Sequence, residues 1–165
     1  FVFRSKVGDV VLAVQVITGA ENWDCHAGWV NRLVSRLPDA RRGTLFGSDV
    51  IIDQAETKSA LNSATGALAV DMESQVAARF AQLRTLPFAV LRAISDDATH
   101  VLPPAALAAM RPDGGISIGR VLWSLVKKPL QLPALIRTGR HSNQAFAQLL
   151  RCRDLCGVGI SGLDL

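Results

Sequence analysis

The chain has 165 residues, of which 49% are apolar and 19% charged, a composition that is typical of one folded domain and not of a disordered protein. No apolar run reaches the roughly 20 residues that a membrane-spanning helix needs, so a transmembrane helix is not expected. The net charge of +4 is unevenly placed, because basic residues prevail from Arg111 onwards. There they alternate with leucine and tryptophan, which fits either a solvated helix face or a contact with an anionic surface.

The chain has three cysteines, Cys25, Cys152 and Cys156, an odd number without the spacing of a disulfide framework. This usage predicts free thiols and a reducing, cytoplasmic compartment. Cys152 and Cys156 could supply two ligands of a metal site, but the sequence around them offers no other two, and no metal site is predicted.

The first predicted element is a strand at Val10–Ile17, where eight largely β-branched residues follow a turn. A helix is indicated next by apolar residues at helical spacing, and Pro38 stops it. This helix, a second extended segment with a kink, and a short helix are predicted at residues 29–37, 42–52 and 54–63.

Two short apolar strands with a helix between them follow, at residues 67–70 and 88–94. Apart from Arg92 the second strand is apolar on both faces, which indicates a parallel or mixed sheet that is covered by helices. The intervening helix is indicated by apolar residues on one stripe, Met72, Val76, Phe80 and Leu83. A strand–helix–strand unit of this kind predicts two neighbouring strands joined by a right-handed crossover.

The last third of the chain is predicted to be helical. An alanine-rich helix after Pro104, a turn at residues 111–115 and an apolar helix at 121–126 lead to a last helix at 134–153. We therefore expect a single domain over residues 1–165, with the core strands and helices in 1–97 and a helical region in 98–165.

Both short strands end in carboxylates, Glu73 after the first and Asp96 after the second. Because ligands of open α/β sheets bind beyond the carboxyl ends of the strands, the two side chains are expected at the rim of one crevice. An ionised Glu73 could accept hydrogen bonds from the paired hydroxyls of a ribose, although Asp71 and Glu73 could equally be helix caps. Arg92 is expected to pair with a carboxylate at the edge of the sheet.

Asp96 follows a fully apolar strand, where partial desolvation favours the protonated carboxyl group and suits it to donate a proton. The alternative is a loop aspartate that holds a turn. The three histidines are isolated, and the chain has no nucleophile elbow, phosphate-binding loop or dinucleotide fingerprint. Nucleic-acid binding is not expected either, because the central region lacks clustered basic residues with interleaved aromatics.

Two segments resemble the signature pair of the purine nucleoside phosphorylase and methylthioadenosine/adenosylhomocysteine nucleosidase superfamily. They are Ala-Val-Asp-Met-Glu-Ser at residues 69–74 and Pro-Phe-Ala-Val-Leu-Arg-Ala-Ile-Ser-Asp at 87–96. Val-Gly-Asp at 7–9 and Gly-Ser-Asp-Val-Ile-Ile at 47–52 look like two further motifs of that family, in the right order. The proline-punctuated segments at 102–107, 111–114 and 128–135 resemble the tail of its hopanoid-associated members.

The resemblance implies a three-layer α/β fold in which helices flank a mixed central sheet, with the amino-terminal third of that fold absent from this chain. It also implies roles for individual residues. Asp96 would protonate N7 of a purine, Glu73 would hold the ribose 2′- and 3′-hydroxyls, and Met72 would pack beneath the sugar. The residues that would line the base pocket are Ile51 and Ile52, and those that would support the site from behind are Ser95, Asp71 and Arg92.

The function so implied is cleavage of the N-glycosidic bond of an adenosyl-type nucleoside, adenosylhopane in the hopanoid-associated branch, with release of adenine by phosphorolysis or hydrolysis. It needs no metal or organic cofactor, with phosphate as the possible co-substrate. The complete protein is expected to be a homo-oligomer. The apolar and basic segment at residues 122–128 predicts peripheral contact with the inner membrane. The alternative is a truncated, non-catalytic remnant that binds a nucleoside.

Overall fold

A computed structural model describes residues 6–96, 123, 126–128, 130 and 132–157 of the chain. In these residues the strands are β1 (Val10–Ile17), β2 (Asn22–Asp24), β3 (Arg41–Gly47), β4 (Ala69–Asp71) and β5 (Leu91–Ala93). The helices are α1 (Ala27–Arg36), α2 (Ala55–Thr65), α3 (Ser74–Leu83) and a long carboxyl-terminal helix, α4 (Leu132–Cys156).

Strand β1 is the centre of the sheet. Its predicted bounds are confirmed, and Val11, Leu12 and Val16 are fully buried. On one side β1 pairs in parallel with β3, which in turn pairs in parallel with β4. On the other side it pairs antiparallel with β5 along its first half and with β2 along its second half. The sheet is therefore mixed, as predicted, and β2 is a strand that the sequence analysis missed.

The predicted neighbourhood of the two carboxylate-bearing strands is wrong. Strand β4 pairs with β3, with Asp71 opposite Gly47, whereas β5 pairs antiparallel with β1, with Ala93 opposite Val10. The chain that leaves α3 is held beside β1 before β5 begins, since Ala13 donates its backbone N–H to the carbonyl of Val90 at 2.9 Å. The predicted parallel crossover between β4 and β5 does not form. Apolar strands on both sides of a helix indicate burial, but they do not determine which strands pair.

Helix α3 also packs on a different face from the predicted one. The stripe expected from the sequence is exposed, with Val76 58%, Phe80 56% and Leu83 82% accessible. The residues that α3 buries against the sheet are smaller or polar: Ser74, Gln75, Ala78 and Ala81. Small side chains allow the helix axis to come close to the sheet, and a Cβ added at Gly47 would lie 2.6 Å from Cβ of Gln75. Close packing therefore selects the small face rather than the most apolar one.

Helices α1 and α4 were both predicted from the sequence, and both form. Helix α1 buries Val30 and Leu33, and His26 caps it by accepting the backbone N–H of Trp29 at 3.2 Å. Helix α4 contacts β5 and α1 and buries Ala145, Cys152 and Cys156. The Arg36 guanidinium joins the two helices by donating to the carbonyl oxygen of Cys156 at 2.7 Å.

The predicted alanine-rich helix after Pro104 and the turn at 111–115 lie outside the described residues, as do most of residues 98–131. Of the apolar helix at 121–126, Trp123 and Val126 are described, and both are helical and exposed. None of the described helices is both long enough and apolar enough to cross a membrane.

Candidate functional site

The buried side chain of Asp71 stabilises the junction between β4 and α3. Its Oδ1 accepts the backbone N–H groups of Glu73 at 3.3 Å and Ser74 at 2.9 Å, and also the Ser74 hydroxyl. These are unpaired donors of the first helical turn, which a carboxylate satisfies well. The capping function that the sequence left open for Asp71 and Glu73 therefore belongs to Asp71.

Glu73 is left for another task. It is the residue that precedes α3, its side chain makes no capping hydrogen bond to the helix, and that side chain is 77% exposed. Its Oε2 accepts the backbone N–H of Met72 at 3.3 Å and lies 3.2 Å from Nη1 of Arg92. The carboxylate is thus oriented at one oxygen and open to solvent over most of its surface.

Arg92 links the two carboxylates of this junction. The same Nη1 lies 3.2 Å from Oδ2 of Asp71 and 3.2 Å from Oε2 of Glu73. The sequence predicted that Arg92 pairs with a carboxylate at the edge of the sheet, and it pairs with two. The guanidinium therefore fixes Glu73, on the chain after β4, relative to β5.

The loop after β3 is attached to the same junction. Ser48 donates its backbone N–H to the carbonyl of Asp71 at 2.8 Å, and Gln75, which is buried, donates Nε2 to the carbonyl of Ser48 at 3.1 Å. The Ser48 hydroxyl then closes the turn by donating to the carbonyl of Val50 at 2.7 Å. Residues 48–50 are therefore held against the start of α3 just before the predicted base-pocket residues.

Those residues have different degrees of exposure. Ile51 is 44% exposed and Ile52 is half-buried, and Met72 is 41% exposed beside Glu73. A single apolar side chain on the surface is ordinary, but three on segments joined to one junction provide apolar contact area for a flat ring or a sugar.

Asp96 has a partner that the sequence analysis missed. Its Oδ2 lies 3.1 Å from Nζ of Lys58, and Lys58 is fully buried while the Asp96 side chain is 26% exposed. The Ser95 hydroxyl donates to the other oxygen, Oδ1, at 3.3 Å. Hydrophobic periodicity could not find Lys58, because the inward residues of α2 are largely small or polar.

Glu73 and Asp96 are joined through β5, which carries Arg92 and leads into Ser95 and Asp96. No single described cavity is lined by both carboxylates. A groove of about 300 Å³ lies between β5 and α4 next to this strand, and it is lined by Arg92, Ser95, Ala145, Phe146 and Leu149 among others. The structure thus brings Asp71, Glu73 and Arg92 together and sets Asp96 and Ser95 beside Lys58.

The described residues contain no cluster of three or more histidine, cysteine or acidic side chains that could hold a metal ion. The three cysteines are buried free thiols. Burial raises the pKa of the Cys25 thiol from 9.0 to about 11, with a smaller upward contribution from Asp24, and burial also raises the pKa of Cys152 and Cys156. Neutral, buried thiols are poor nucleophiles, so the carboxylates are the reactive groups to consider.

Residues 4–126 match the model of the phosphorylase superfamily, which is more than half of the chain. The chain belongs to this superfamily. Among curated proteins, none matches the chain closely enough to be counted as a relative.

Solved structures with the same fold include nucleosidases. An S-adenosylhomocysteine nucleosidase from Streptococcus pyogenes, in complex with 5-methylthiotubericidin, is 20% identical with a TM-score of 0.55, over 89% of this chain and 61% of that one. A mutant 5′-methylthioadenosine/S-adenosylhomocysteine nucleosidase from Helicobacter pylori, with 5′-methylthioadenosine in its active site, is 21% identical with a TM-score of 0.54, over 58% and 51%. Futalosine hydrolase from Helicobacter pylori is 22% identical with a TM-score of 0.52, over 57% and 49%.

These likenesses confirm the predicted fold class, an α/β fold in which helices flank a mixed central sheet. The chain spans between 49% and 61% of the length of the three proteins. Below 25% identity the likeness concerns the fold alone, and the chemistry of this chain depends on its own residues.

Proposed function

We propose that the protein cleaves the N-glycosidic bond of a purine nucleoside and releases adenine. The observation that carries the proposal is that residues 92–96 connect two accessible carboxylates: Arg92 contacts Glu73, and Asp96, four residues later, contacts Lys58. Membership of the phosphorylase superfamily supports it, and so do the nucleosides and analogues that are bound in structures of the same fold.

In this proposal Asp96 donates a proton to N7 of the purine, so that the base leaves as a neutral molecule. A positioned acid of this kind contributes about 10²- to 10⁴-fold to the rate. Glu73 accepts hydrogen bonds from the ribose 2′- and 3′-hydroxyls. Its negative charge also stabilises the positive charge that develops on the sugar as the bond breaks. Met72 packs beneath the sugar, and Ile51 and Ile52 line the base pocket.

The remaining residues hold this arrangement in place. Asp71 caps α3 and, with Arg92, orients Glu73, while Ser95 contacts Asp96. Every step is carried by side chains of the protein and by the attacking group, water or phosphate, so the proposed reaction uses no metal or organic cofactor.

The proposal is tested by measuring adenine release from 5′-methylthioadenosine and from adenosine, with and without phosphate. Release that requires phosphate identifies phosphorolysis, and release in its absence identifies hydrolysis. If the folded protein binds the nucleoside but releases no adenine under either condition, the proposal is wrong and the non-catalytic alternative holds.

The finer proposal is that the nucleoside carries an apolar substituent, as in adenosylhopane. The groove between β5 and α4 supports it, because Phe146 and Leu149 give it an apolar wall next to Arg92. Replacing Phe146 by serine is expected to raise KM for a nucleoside with a long alkyl substituent and to leave KM for adenosine unchanged. Equal effects on both substrates would contradict an apolar subsite.

A lipid-linked substrate would require peripheral contact with the inner membrane, which we also propose. Trp123 is 63% and Val126 75% exposed, and the Lys127 ammonium lies 5.0 Å from the centre of the Trp123 ring. An apolar surface with lysines beside it binds anionic bilayers in two ways: its apolar side chains are buried among the lipids, and its lysines are attracted to their negative charge. Co-sedimentation with anionic vesicles should fall when Trp123, Lys127 and Lys128 are replaced, and unchanged co-sedimentation would exclude this segment.

We propose, finally, that the protein is a homo-oligomer. The exposed stripe of α3, formed by Val76, Phe80 and Leu83, supports this because contiguous exposed apolar side chains are characteristic of interfaces. Light scattering should therefore report a mass of two or more chains. Replacing Phe80 and Leu83 by serine should lower that mass, and a monomeric wild type would contradict the proposal.

A further inference from the structure

Helix α2 directs one lysine side chain into the interior of the protein. Lys58 is the one residue of α2 that is buried, and its exposed fraction is 0%. Lysine is almost never fully buried unless its charge is compensated, because the ammonium group loses its hydration. Here Nζ faces Oδ2 of Asp96 at 3.1 Å. The ammonium of Lys58 is therefore in contact with the same carboxyl group that the proposed reaction uses.

We propose that Lys58 is the positioning residue of Asp96: it orients the carboxyl group toward the base and stabilises the negative charge that Asp96 acquires when it gives up its proton. This inference rests on the proposed function. It goes beyond that function by assigning a task to a buried side chain that does not itself contact the nucleoside.

The orientation follows from the partners of the two carboxyl oxygens. Oδ2 is held by the ammonium of Lys58 at 3.1 Å, whereas the contact that the described residues give Oδ1 is a long hydrogen bond of 3.3 Å from the Ser95 hydroxyl. Oδ1 is therefore the oxygen with weaker engagement, and it is the one assigned to the purine.

The negative charge on Asp96 arises when its proton leaves. As the bond between C1′ and N9 breaks, its electron pair passes into the purine, and N7 takes the proton from Asp96. The carboxyl group becomes a carboxylate while water or phosphate forms the new bond to C1′. Attacking water loses its extra proton to the solvent, and Asp96 takes up a proton from the solvent before the next turnover. Lys58 keeps its own proton throughout. Because Lys58 is shielded from water, its attraction for the new carboxylate is screened less than that of a surface lysine.

Among the described residues, the arginine four positions before Asp96 is already engaged. Arg92, on β5, pairs with Asp71 and Glu73, so its guanidinium is directed to the β4–α3 junction. Lys58 contacts Asp96 directly. Removing Lys58 should therefore impair the acid itself, an effect that a merely structural lysine would not have.

The test uses Lys58→Met in the purified protein, with kcat and KM of adenine release measured separately. We expect kcat to fall about 10- to 100-fold, because the acid is misplaced and its negative charge uncompensated, with a small change in KM. A lysine that only stabilised the fold would not lower kcat of the folded variant in this selective way. Thr57→Met places the same side chain on the exposed neighbouring position of α2 and should leave both kcat and KM unchanged.

Two further variants keep the test decisive. Lys58→Gln retains a hydrogen-bond donor without the charge, so it should show the same loss of kcat if Lys58→Met does not fold. Lys58→Arg retains the charge and should restore most of kcat. A folded Lys58→Met or Lys58→Gln variant with wild-type kcat would overturn the assignment alone. A wild type that releases no adenine would overturn the proposed function and this assignment with it.

Discussion

The two ion pairs of the candidate site are built in opposite ways. At the β4–α3 junction the carboxylate is buried, with the Asp71 side chain 2% exposed, while its partner Arg92 is 34% exposed. At the end of β5 the cation is buried, with Lys58 0% exposed, while its partner Asp96 is 26% exposed. Only the outer member of each pair can meet a ligand, so the junction presents a cation and the end of β5 presents an acid.

The difference explains why the junction needs a second carboxylate. Asp71 is committed to the backbone of α3 and to Arg92, and it has little surface left for a ligand. Glu73, two residues later, contacts the same guanidinium but remains exposed. The junction thus separates a carboxylate that maintains the fold from one that can bind, whereas at the end of β5 a single carboxylate must be both held and reactive.

The strongest way to break this comparison is to remove the acid at the end of β5. In Asp96→Asn the amide oxygen can still accept a hydrogen bond from Lys58, so the fold should be kept. We expect adenine release to fall about 10²- to 10⁴-fold, because the amide cannot donate an acidic proton to the leaving base. Initial rates measure the loss, and equilibrium binding of the nucleoside should be nearly unchanged. A rate equal to that of wild type would exclude Asp96 as the acid.

At the junction, replacing the buried carboxylate should affect stability first. Asp71→Ala removes the acceptor of the first turn of α3 and the buried partner of Arg92, for an expected loss of about 2–3 kcal/mol in the free energy of unfolding. Denaturant unfolding measures it. Asp71→Asn is the matched control, since it keeps an acceptor for the backbone N–H groups and should lose less. Equal losses in both variants would show that charge, and not capping, is what Asp71 contributes.

Replacing the exposed carboxylate should have the reverse outcome. Glu73→Gln is expected to leave the free energy of unfolding unchanged, because the side chain is exposed and makes no capping bond. The value of kcat/KM should fall about 10- to 100-fold, which is the effect of losing a hydrogen bond to a charged group. If Glu73→Gln lowered stability as much as Asp71→Ala does, the separation of tasks at the junction would be refuted.

Local sequence signals predicted those parts of the fold that depend on neighbouring residues. The β-branched run of β1 and the stop at Pro38 after α1 are of this kind. Helix α2 ends at Gly66, which adopts a left-handed φ of 68° that glycine accepts without strain. Strand pairing was not predictable in this way, because the antiparallel placement of β5 beside β1 depends on residues that are about 80 positions apart.

The site was predictable to the same extent. Glu73, Arg92 and Asp96 were found because carboxylates and a lone charge stand out at the ends of apolar strands. Lys58 was not found, because a lysine in a short polar helix resembles any solvent-exposed lysine. Its burial depends on where Asp96 lies in three dimensions. The exposed face of α3 was misjudged for a related reason, since close packing beside Gly47 outweighed hydrophobicity.

The smallest expected effect is a loss of stability at alkaline pH. It limits the pH range in which variants of the two ion pairs can be compared. Burial raises the pKa of the Cys25 thiol from 9.0 to about 11, so the folded protein holds this proton more tightly than the unfolded chain does. The resulting stability is fully present below about pH 9 and is lost as the pH rises toward about 11, by roughly 1–3 kcal/mol. Unfolding measured as a function of pH should show this decline, and Cys25→Ala should reduce it. If the decline were the same in Cys25→Ala, another group would be its source.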